Sequence, residues 1–511
     1  MGFLWKGRPR VVVKDGLGLV RIRRRESATR GAKRGRRRRG RESRDECRRR
    51  RLVVARAPRR SSVEMNVESL DAAVRDAFGT AASARGGDGG ALEALEALKR
   101  ESECWKLCLE AYGSARTSAE TKFWCLQTLT ETLRDAEATT RLSEEDAEAL
   151  RRSVGTHVSD AAMVGGGDGG GAPVFVKNKL AQVCAHAAAA EYPTRWPTFF
   201  ADAANLFTRG ESGVDMFTRV LEAIDEEVVA TVEVGRGNRD EVARSMRMKD
   251  AMRADGSLQL VFGAWRDCLE HFKSHNPRLA ARVWSVARRY VDWVDINIVA
   301  SAEYLKCARE CLALNEPNAD EGLRSAATAY VHAVVTKGMD IEAKVRLIVT
   351  MNVLEMCSSL LTMCISRPDD FDEEFVTQVT TLAVSVGLEL LNANKVENIT
   401  TLGAESSSQV SALLHQVTPM ILSAINFRHE RAVLTALPFL TAYIGYIKSR
   451  PALMNTEQPA LTLACQAVVA RGTFPTERIE GLDWNDGMNA LTQEIEEDVF
   501  NLRAELNVQF R

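Results

Sequence analysis

The sequence lacks the short motifs on which most enzyme and metal sites depend. It has no CxxC pair, no GxSxG, no GKS or GKT ending of a phosphate-binding loop and no dinucleotide-binding glycine motif. Its eleven cysteines and seven histidines are scattered, so we expect reduced, buried cysteines in a cytosolic or nuclear protein. Period-two strand patterns and tight Asn-Gly turns are also absent. The sequence therefore predicts a protein that is not an enzyme, needs no cofactor or metal and contains little β-structure.

The net charge of −1 conceals two regions of opposite sign. Residues 1–60 carry 24 Lys and Arg against 5 Asp and Glu, whereas the remaining 451 residues carry 44 against 64. The first 64 residues have almost no core-forming side chains, and we expect a disordered Arg-rich tail there. Three interpretations stay open: a nuclear-targeting or RNA-contacting arm, an organelle transit peptide (disfavoured because serine is sparse), or a dispensable or wrongly joined segment before Met65.

From Met65 onward the chain is a succession of amphipathic helical patterns. In residues 214–229 the apolar side chains recur every three or four positions, and the charged side chains occupy the opposite face. Similar patterns cover residues 177–192, 256–271, 279–296, 320–336, 341–365, 373–391, 409–427 and 430–446. Two glycine inserts, at 86–90 and 165–171, predict flexible loops.

Prolines interrupt these patterns at intervals of 40 and 51 residues, namely at Pro277, Pro317 and Pro368. HEAT-type arrays repeat a pair of helices every ~40–47 residues. The length alone would suggest about three domains, but no linker is visible after Pro173. We therefore predict an all-α, HEAT-like helical-repeat superhelix, an α-solenoid.

Two further features bear on the limits of this array. Residues 347–365 have almost the length of a membrane span, but polar residues interrupt them, and we predict a buried helix and no membrane insertion. Residues 486–511 form an amphipathic pattern that stops without a capping repeat. Because solenoids need such a cap, we expect that the chain or its gene model is truncated at the C-terminus.

Several segments resemble one family. Residues 175–200 contain NKLAQV, then EYP, then a tryptophan followed by PTFF, and this order resembles the exportins and importin-β-like receptors. More specific are GVDMFTRVLEAIDEEVV, RMKDAMR, YVDWVDINIV and VVTKGMDIEAKVRLI, in that order between residues 213 and 348. They closely resemble the exportin-T family of the importin-β (karyopherin) superfamily. The resemblance runs from about residue 66 to the end and corresponds to the N-terminal half of a family member.

The resemblance implies a nuclear export receptor that carries tRNA to the cytoplasm with Ran-GTP and releases it when Ran hydrolyses GTP. It implies Ran-GTP, tRNA and nuclear pore proteins as partners, a monomer, and shuttling between nucleus and cytoplasm. The alternatives are a karyopherin with a protein cargo and a HEAT-repeat scaffold without a Ran partner. Because the family's C-terminal arch has no counterpart here, we expect part of the Ran surface to be kept and tight tRNA binding to be lost.

The resemblance also suggests where these partners bind. In the family, inner helices of the first repeats face Ran, which implies Ran contacts for Lys122, Phe123 and Gln127. Basic residues inside the matching motifs are candidates for tRNA phosphates, namely Lys177, Lys179, Arg219, Arg247, Lys249 and Arg253. The competing interpretation is that these are packing, surface or intramolecular ion-pair residues. The expected domains are the tail (1–64), the first repeats (65–172), an exportin-like region (173–335) and further repeats (336–511).

Overall fold

The computed structural model describes residues 65–78, 89–135, 139, 142–163, 172–230, 239–312, 320–395, 398 and 404–472. The chain divides into two units, Met1–Glu64 and Met65–Arg511, and every described residue lies in the second. The Arg-rich tail, the glycine insert at 165–171, Pro317 and the pattern at 486–511 therefore lie outside the described residues. The predicted domain boundaries within the second unit stay predictions.

The described residues are almost entirely helical and contain no strand, which confirms the predicted all-α class. The α-helices are α1 (Val67–Phe78), α2 (Gly89–Leu98), α3 (Cys104–Gly113), α4 (Ala119–Arg134), α5 (Glu144–Ala161), α6 (Val174–Glu191), α7 (Phe199–Ala204), α8 (Gly210–Ile224), α9 (Arg239–Ala254), α10 (Ser257–His275), α11 (Pro277–Tyr290), α12 (Ile296–Val299), α13 (Ala302–Leu312), α14 (Glu321–Thr336), α15 (Ile341–Thr350), α16 (Val353–Ser366), α17 (Glu373–Ala393), α18 (Ala404–Ser423), α19 (Glu430–Lys448) and α20 (Met454–Gly472).

Polar residues just before the helices fix where many of them begin. A side-chain oxygen at the N-cap position accepts a hydrogen bond from a backbone N–H of the first turn, which would otherwise have no partner. This arrangement starts α4, α5, α11, α14, α15 and α17, whose caps are Ser118, Ser143, Asn276, Asp320, Asp340 and Asp372. The capping residues thus divide a long apolar sequence into separate helices.

The helices pack in consecutive pairs, as a HEAT-like array requires. The second helices of the pairs also pack against one another in chain order, and we call α4, α6, α8, α11, α14, α17 and α19 the second-helix row. The first helices, among them α3, α5, α10, α13, α16 and α18, form the other layer. The predicted helical-repeat fold is therefore confirmed.

Buried aromatic side chains fill the middle of the array. The ring of Trp284 lies 4.6 Å from that of Tyr330, and Tyr304 stacks on Tyr330 at 5.8 Å. The Tyr330 hydroxyl donates a 2.6 Å hydrogen bond to the carbonyl of Val299, and the Tyr304 hydroxyl donates one of 2.8 Å to Phe262. A buried tyrosine hydroxyl needs a hydrogen-bond partner. Because each of these hydroxyls must reach one particular carbonyl, the two bonds fix how neighbouring helix pairs are aligned.

Several helix bounds differ from those predicted. The pattern at 341–365 is two helices, because Asn352 adopts a left-handed backbone conformation (φ 52°) that ends α15 and starts α16. The pattern at 279–296 ends at Tyr290, and residues 225–229 form a π-helical turn after α8. The first glycine insert is partly helical, since α2 begins at Gly89.

Among the described residues, one helix, Glu373–Ala393, is long and apolar enough to cross a membrane. The number of such segments rises to three if each of two bent helix pairs is counted as one span. In the fold, 61% of the apolar window of Glu373–Ala393 is buried.

Candidate functional site

The three predicted Ran contacts lie on α4, in the second-helix row. Phe123 is 38% exposed, and Lys122 and Gln127 are half-buried. The Lys122 ammonium lies 5.7 Å from the centre of the Tyr112 ring, and the Gln127 amide donates a 2.8 Å hydrogen bond to Glu131. Of the three, Phe123 is therefore the side chain most available to a partner.

A fourth residue, which the sequence did not single out, extends this surface. Phe175 at the start of α6 is 48% exposed, and its ring meets that of Phe123 edge-on at 5.8 Å. Two exposed aromatic rings in contact across adjacent repeats are unusual on a surface that contacts only water. We call Lys122, Phe123, Gln127 and Phe175 the α4–α6 face. Phe175 stands in the first turn of α6, where a sequence pattern could have placed it. Its contact with Phe123, 52 residues earlier, could not be predicted from the sequence.

Three of the six predicted RNA contacts are buried or half-buried. Lys177 and Arg219 are buried, each 8% exposed. Arg219 donates to Asp215 at 2.9 Å and also to Asn178 of α6. Lys179 donates to Gln182 at 2.9 Å, and burial lowers the pKa of Lys179. Their placement supports the structural interpretation, and their contact with RNA stays a prediction.

The other three candidates lie together on α9. Arg247 donates a 2.7 Å hydrogen bond to the carbonyl of Ala189, near the end of α6. Arg253 donates to the carbonyl of Trp293 at 2.9 Å and pairs with Asp250 at 3.0 Å. The Lys249 ammonium lies 5.5 Å from the centre of the Trp293 ring, over which the Arg253 guanidinium also lies. Arg247 and Arg253 are nevertheless exposed.

Cations at the ends of second helices are a recurring device here. Lys337 donates to the carbonyls of Val291 and Asp292, both at 2.7 Å, just after α11. Lys344 donates to the carbonyl of Lys337 at 2.6 Å and also to that of Val335, at the end of α14. The last carbonyls of a helix have no partner within it and carry partial negative charge, so a cation there is stabilising. This explains the basic residues of the KGMDIEAK segment without a ligand.

A network of ion pairs joins α8 to α11. Arg282 of α11 lies 2.9 Å from Asp215 and 2.8 Å from Glu222. Arg289 lies 2.9 Å from Glu226, 3.4 Å from Glu222 and 3.5 Å from Asp225. Burial would lower the pKa of Arg289, but Glu226, Asp225 and Glu222 more than offset it and raise that pKa. We call these residues the α8–α11 ion-pair network, in which Asp215 and Asp225 pair with arginines of a neighbouring helix.

The aromatic motif residues pack within the fold. Tyr192 is buried, and its hydroxyl donates to Asp255 at 2.5 Å. Trp196 is 8% exposed and donates to Asp202 at 2.9 Å. Both side chains therefore have hydrogen-bond partners within the fold. Within the described ranges, no group of three or more His, Cys, Asp or Glu side chains is arranged to hold a metal ion.

Comparison with known proteins places this fold in a class. A family model described as "Exportin 1-like protein" matches residues 173–329. Those residues contain α6 to α13, the ion-pair network and most of α14. The fold and this match define an exportin-like helical-repeat protein.

The relatives narrow the class further. Exportin-T of Arabidopsis thaliana is 29% identical over 407 residues, which cover 79% of this chain and 39% of the relative. Exportin-T of Dictyostelium discoideum is 27% identical over 394 residues, covering 76% and 34%, and that of Homo sapiens is 24% identical over 401 residues, covering 76% and 38%. The chain is thus related to the exportin-T proteins, which are export receptors rather than enzymes, and it spans about two-fifths of their length.

Proposed function

We propose that this chain acts as a nuclear export receptor, or as part of one, which binds Ran-GTP and carries tRNA from nucleus to cytoplasm. The observation that carries the proposal is the similarity to exportin-T over more than three-quarters of the chain. Nuclear pore proteins would be its further partners, and it would shuttle between the two compartments as a monomer. Ran would hydrolyse the GTP, and the receptor would supply binding energy alone.

The α4–α6 face supports a protein partner at the first repeats. Exposed aromatic side chains are the residues that most often dominate the energy of a protein interface. Phe123 and Phe175 are both of this kind, and the half-buried Lys122 beside Phe123 offers a charge at the rim of the patch. We therefore assign the docking of Ran-GTP to this face.

Substitution of Phe123 tests that assignment. We expect Phe123→Ser to weaken binding of Ran-GTP by about fivefold or more, because loss of an interface aromatic commonly costs over 1 kcal/mol. Phe78→Ser is the matched control, since Phe78 is also exposed (56%) but lies on α1 and is not part of the α4–α6 face. Titration of Ran-GTP by calorimetry measures both. Equal binding by the two variants would remove the α4–α6 face from the proposal.

The tRNA cargo needs a separate experiment, because the Arg-rich residues 1–64 bind polyanions without specificity. The protein should therefore start at Met65, the beginning of the second unit. We expect folded tRNA to bind weakly, and only when Ran-GTP is present, with an affinity that falls as salt rises. A protein-cargo receptor would show no dependence on RNA, and a scaffold would ignore Ran. Binding of tRNA that ignores Ran and disappears with residues 1–64 would contradict the proposal.

Exposed cations on α9 are the best remaining candidates for phosphate contacts. Arg247 donates to a backbone carbonyl, Arg253 donates to a backbone carbonyl and to Asp250, and both side chains are exposed. If each arginine contacts one phosphate, Arg247→Ala and Arg253→Ala should each lower the slope of log affinity against log salt concentration by about one unit. Arg346→Ala is the control, because Arg346 is exposed and pairs with Glu342 of its own helix.

A further inference from the structure

One junction of the second-helix row differs from the others. Of the neighbouring helices in the described row, α8 and α11 contact each other over the shortest stretch. The ring of Phe217 on α8 packs against that of Trp265 on α10, the partner helix of α11, at 6.4 Å. The buried hydroxyl of Tyr290 donates a 2.7 Å hydrogen bond to the carbonyl of Leu221. Much of the remaining attachment comes from the α8–α11 ion-pair network.

Most of that network is accessible to solvent, although Asp225 is buried. The side chains of Arg282, Glu222 and Arg289 are 27%, 28% and 34% exposed, and that of Glu226 is 46% exposed. Charges in contact with water attract each other less when salt is added, because the screening length falls from about 8 Å at 0.15 M to about 3 Å at 1 M. Apolar packing has no such dependence. The attachment between α8 and α11 is therefore the one that salt can loosen.

Helix α9 crosses this junction. Toward the N-terminal side, Arg247 donates to the carbonyl of Ala189 on α6, and Arg244 donates to that of Leu133 on α4 at 3.5 Å. On the other side, Arg253 donates to the carbonyl of Trp293, three residues beyond the end of α11. Helix α9 also contacts the π-helical turn at 225–229 and α10. It thus links the helices before the junction to those after it.

The attachment of α9 is itself mainly polar. Of its 16 residues, three are buried, namely Ser245, Met248 and Met252. A helix with so little apolar surface in the core gains little hydrophobic stabilisation. Its arginine contacts to helix-end carbonyls therefore supply a large share of what holds it in place.

We propose that the α8–α11 junction is a salt-sensitive hinge in the second-helix row and that α9 is the strap that holds this hinge closed. The π-helical turn contains two acidic residues of the network, Asp225 and Glu226, and it connects the hinge to the strap. Such turns lie frequently at functional positions in helices. When the ion pairs are screened and α9 is released, the repeats on the two sides can rotate about the contacts of Phe217 and Tyr290. This inference goes beyond the proposed function and does not depend on it.

Amide hydrogen exchange, read by mass spectrometry on the full chain, tests the strap. In Arg247→Ala/Arg253→Ala we expect the amides of α9 to exchange about tenfold faster or more, because each lost hydrogen bond to a charged group is worth at least a decade in the opening equilibrium. The amides of α14 and α17 should not change. Arg278→Ala/Arg346→Ala is the matched control, with two exposed arginines that lie away from the strap. Unchanged exchange in α9, or equal acceleration in the control, would overturn the strap.

A salt titration of the unmodified chain tests the hinge and does not require any variant to fold. Between 0.1 and 1 M NaCl we expect exchange to accelerate in α9 and at the facing ends of α8 and α11, and to stay constant where α14 meets α17. Arg282→Gln/Arg289→Gln should reproduce the high-salt pattern at 0.1 M NaCl. A response of the same size at both junctions, or no response at either, would overturn the hinge.

Discussion

The two halves of the second-helix row are joined by different chemistry. Beyond α11 the links between neighbouring repeats are aromatic or neutral, such as Trp284 against Tyr330 and the 3.0 Å hydrogen bond between His332 and Ser385. Up to α11 the row also has charged links, as in the pairing of Arg282 with Asp215 and of Arg289 with Glu226, both at 2.9 Å. Apolar packing and neutral hydrogen bonds are not screened by salt, whereas ion pairs weaken as salt is added and respond to charged ligands. The comparison indicates that the earlier repeats can be adjusted and that the later ones act as a fixed support.

The largest expected effect lies in the neutral half. Trp284 is fully buried between Tyr304 and Tyr330, and Trp284→Ala should destabilise the fold by about 3–5 kcal/mol because it leaves a large cavity. Urea unfolding measures the change, which should be the same at 0.1 and 1 M NaCl. A loss that salt reduces would contradict the assignment of this junction to apolar packing.

The next largest effect on stability is expected where α17 approaches α18 and α19 closely at Gly387. A Cβ atom on Gly387 of α17 would lie 2.5 Å from Ile421 and 2.6 Å from Phe439, so Gly387→Ala should destabilise by about 1–3 kcal/mol through overpacking. Gly263 of α10 has open space around it, and Gly263→Ala should stabilise by about 0.5–1 kcal/mol through its higher helix propensity. Thermal unfolding of both variants shows whether the two signs differ. The same sign for both would show that α17 and its neighbours are not as tightly packed as described.

In the charged half, Arg289→Gln should cost about 1 kcal/mol at low salt, since the pairs of Arg289 are only partly buried. The loss should shrink toward zero at 1 M NaCl, in contrast to that of Trp284→Ala. Arg346→Gln, whose Glu342 partner lies in its own helix, should change stability by less than about 0.5 kcal/mol at either salt concentration. A salt-independent loss for Arg289→Gln would erase the distinction between the two halves.

The last effect concerns pH and the first repeats. Burial raises the pKa of Asp71, but hydrogen bonds from the Ser118 N–H and hydroxyl outweigh it and lower that pKa from 3.8 to about 2. The ionised form is therefore favoured in the folded state, and Asp71 stabilises the fold above about pH 4 by at most about 2 kcal/mol. This contribution is lost as the pH falls through about 2. Acid titration of stability should be shallower in Asp71→Asn, and identical curves would exclude the contribution.

Much of the fold was predictable because apolar periodicity and capping residues are local. The pattern at 320–336 is α14 within one residue, and the pairing of helices followed from the spacing of their breaks. The end of α15 was not predictable, because an asparagine adopts the left-handed conformation only when its surroundings favour it. The π-helical turn likewise carries no pattern of its own.

The site was less predictable because partners lie far apart in the chain. Nothing around Arg247 indicates that it reaches the carbonyl of Ala189, 58 residues earlier. The charges of Arg282 and Arg289 were visible in the sequence, but their acidic partners lie about 60 to 67 residues away. Basic residues in a recognisable motif could therefore be listed as RNA contacts, although many of them fasten one repeat to another.

The most direct test of the central claim, that this helical array is a Ran-dependent export receptor, is the affinity of the full chain for Ran in its two nucleotide states. Isothermal titration with Ran-GTP and with Ran-GDP gives both constants under the same conditions. The proposal predicts binding at least about tenfold tighter for Ran-GTP, within the range typical of a coupled switch. Equal affinity for the two states, or binding of neither, would contradict it.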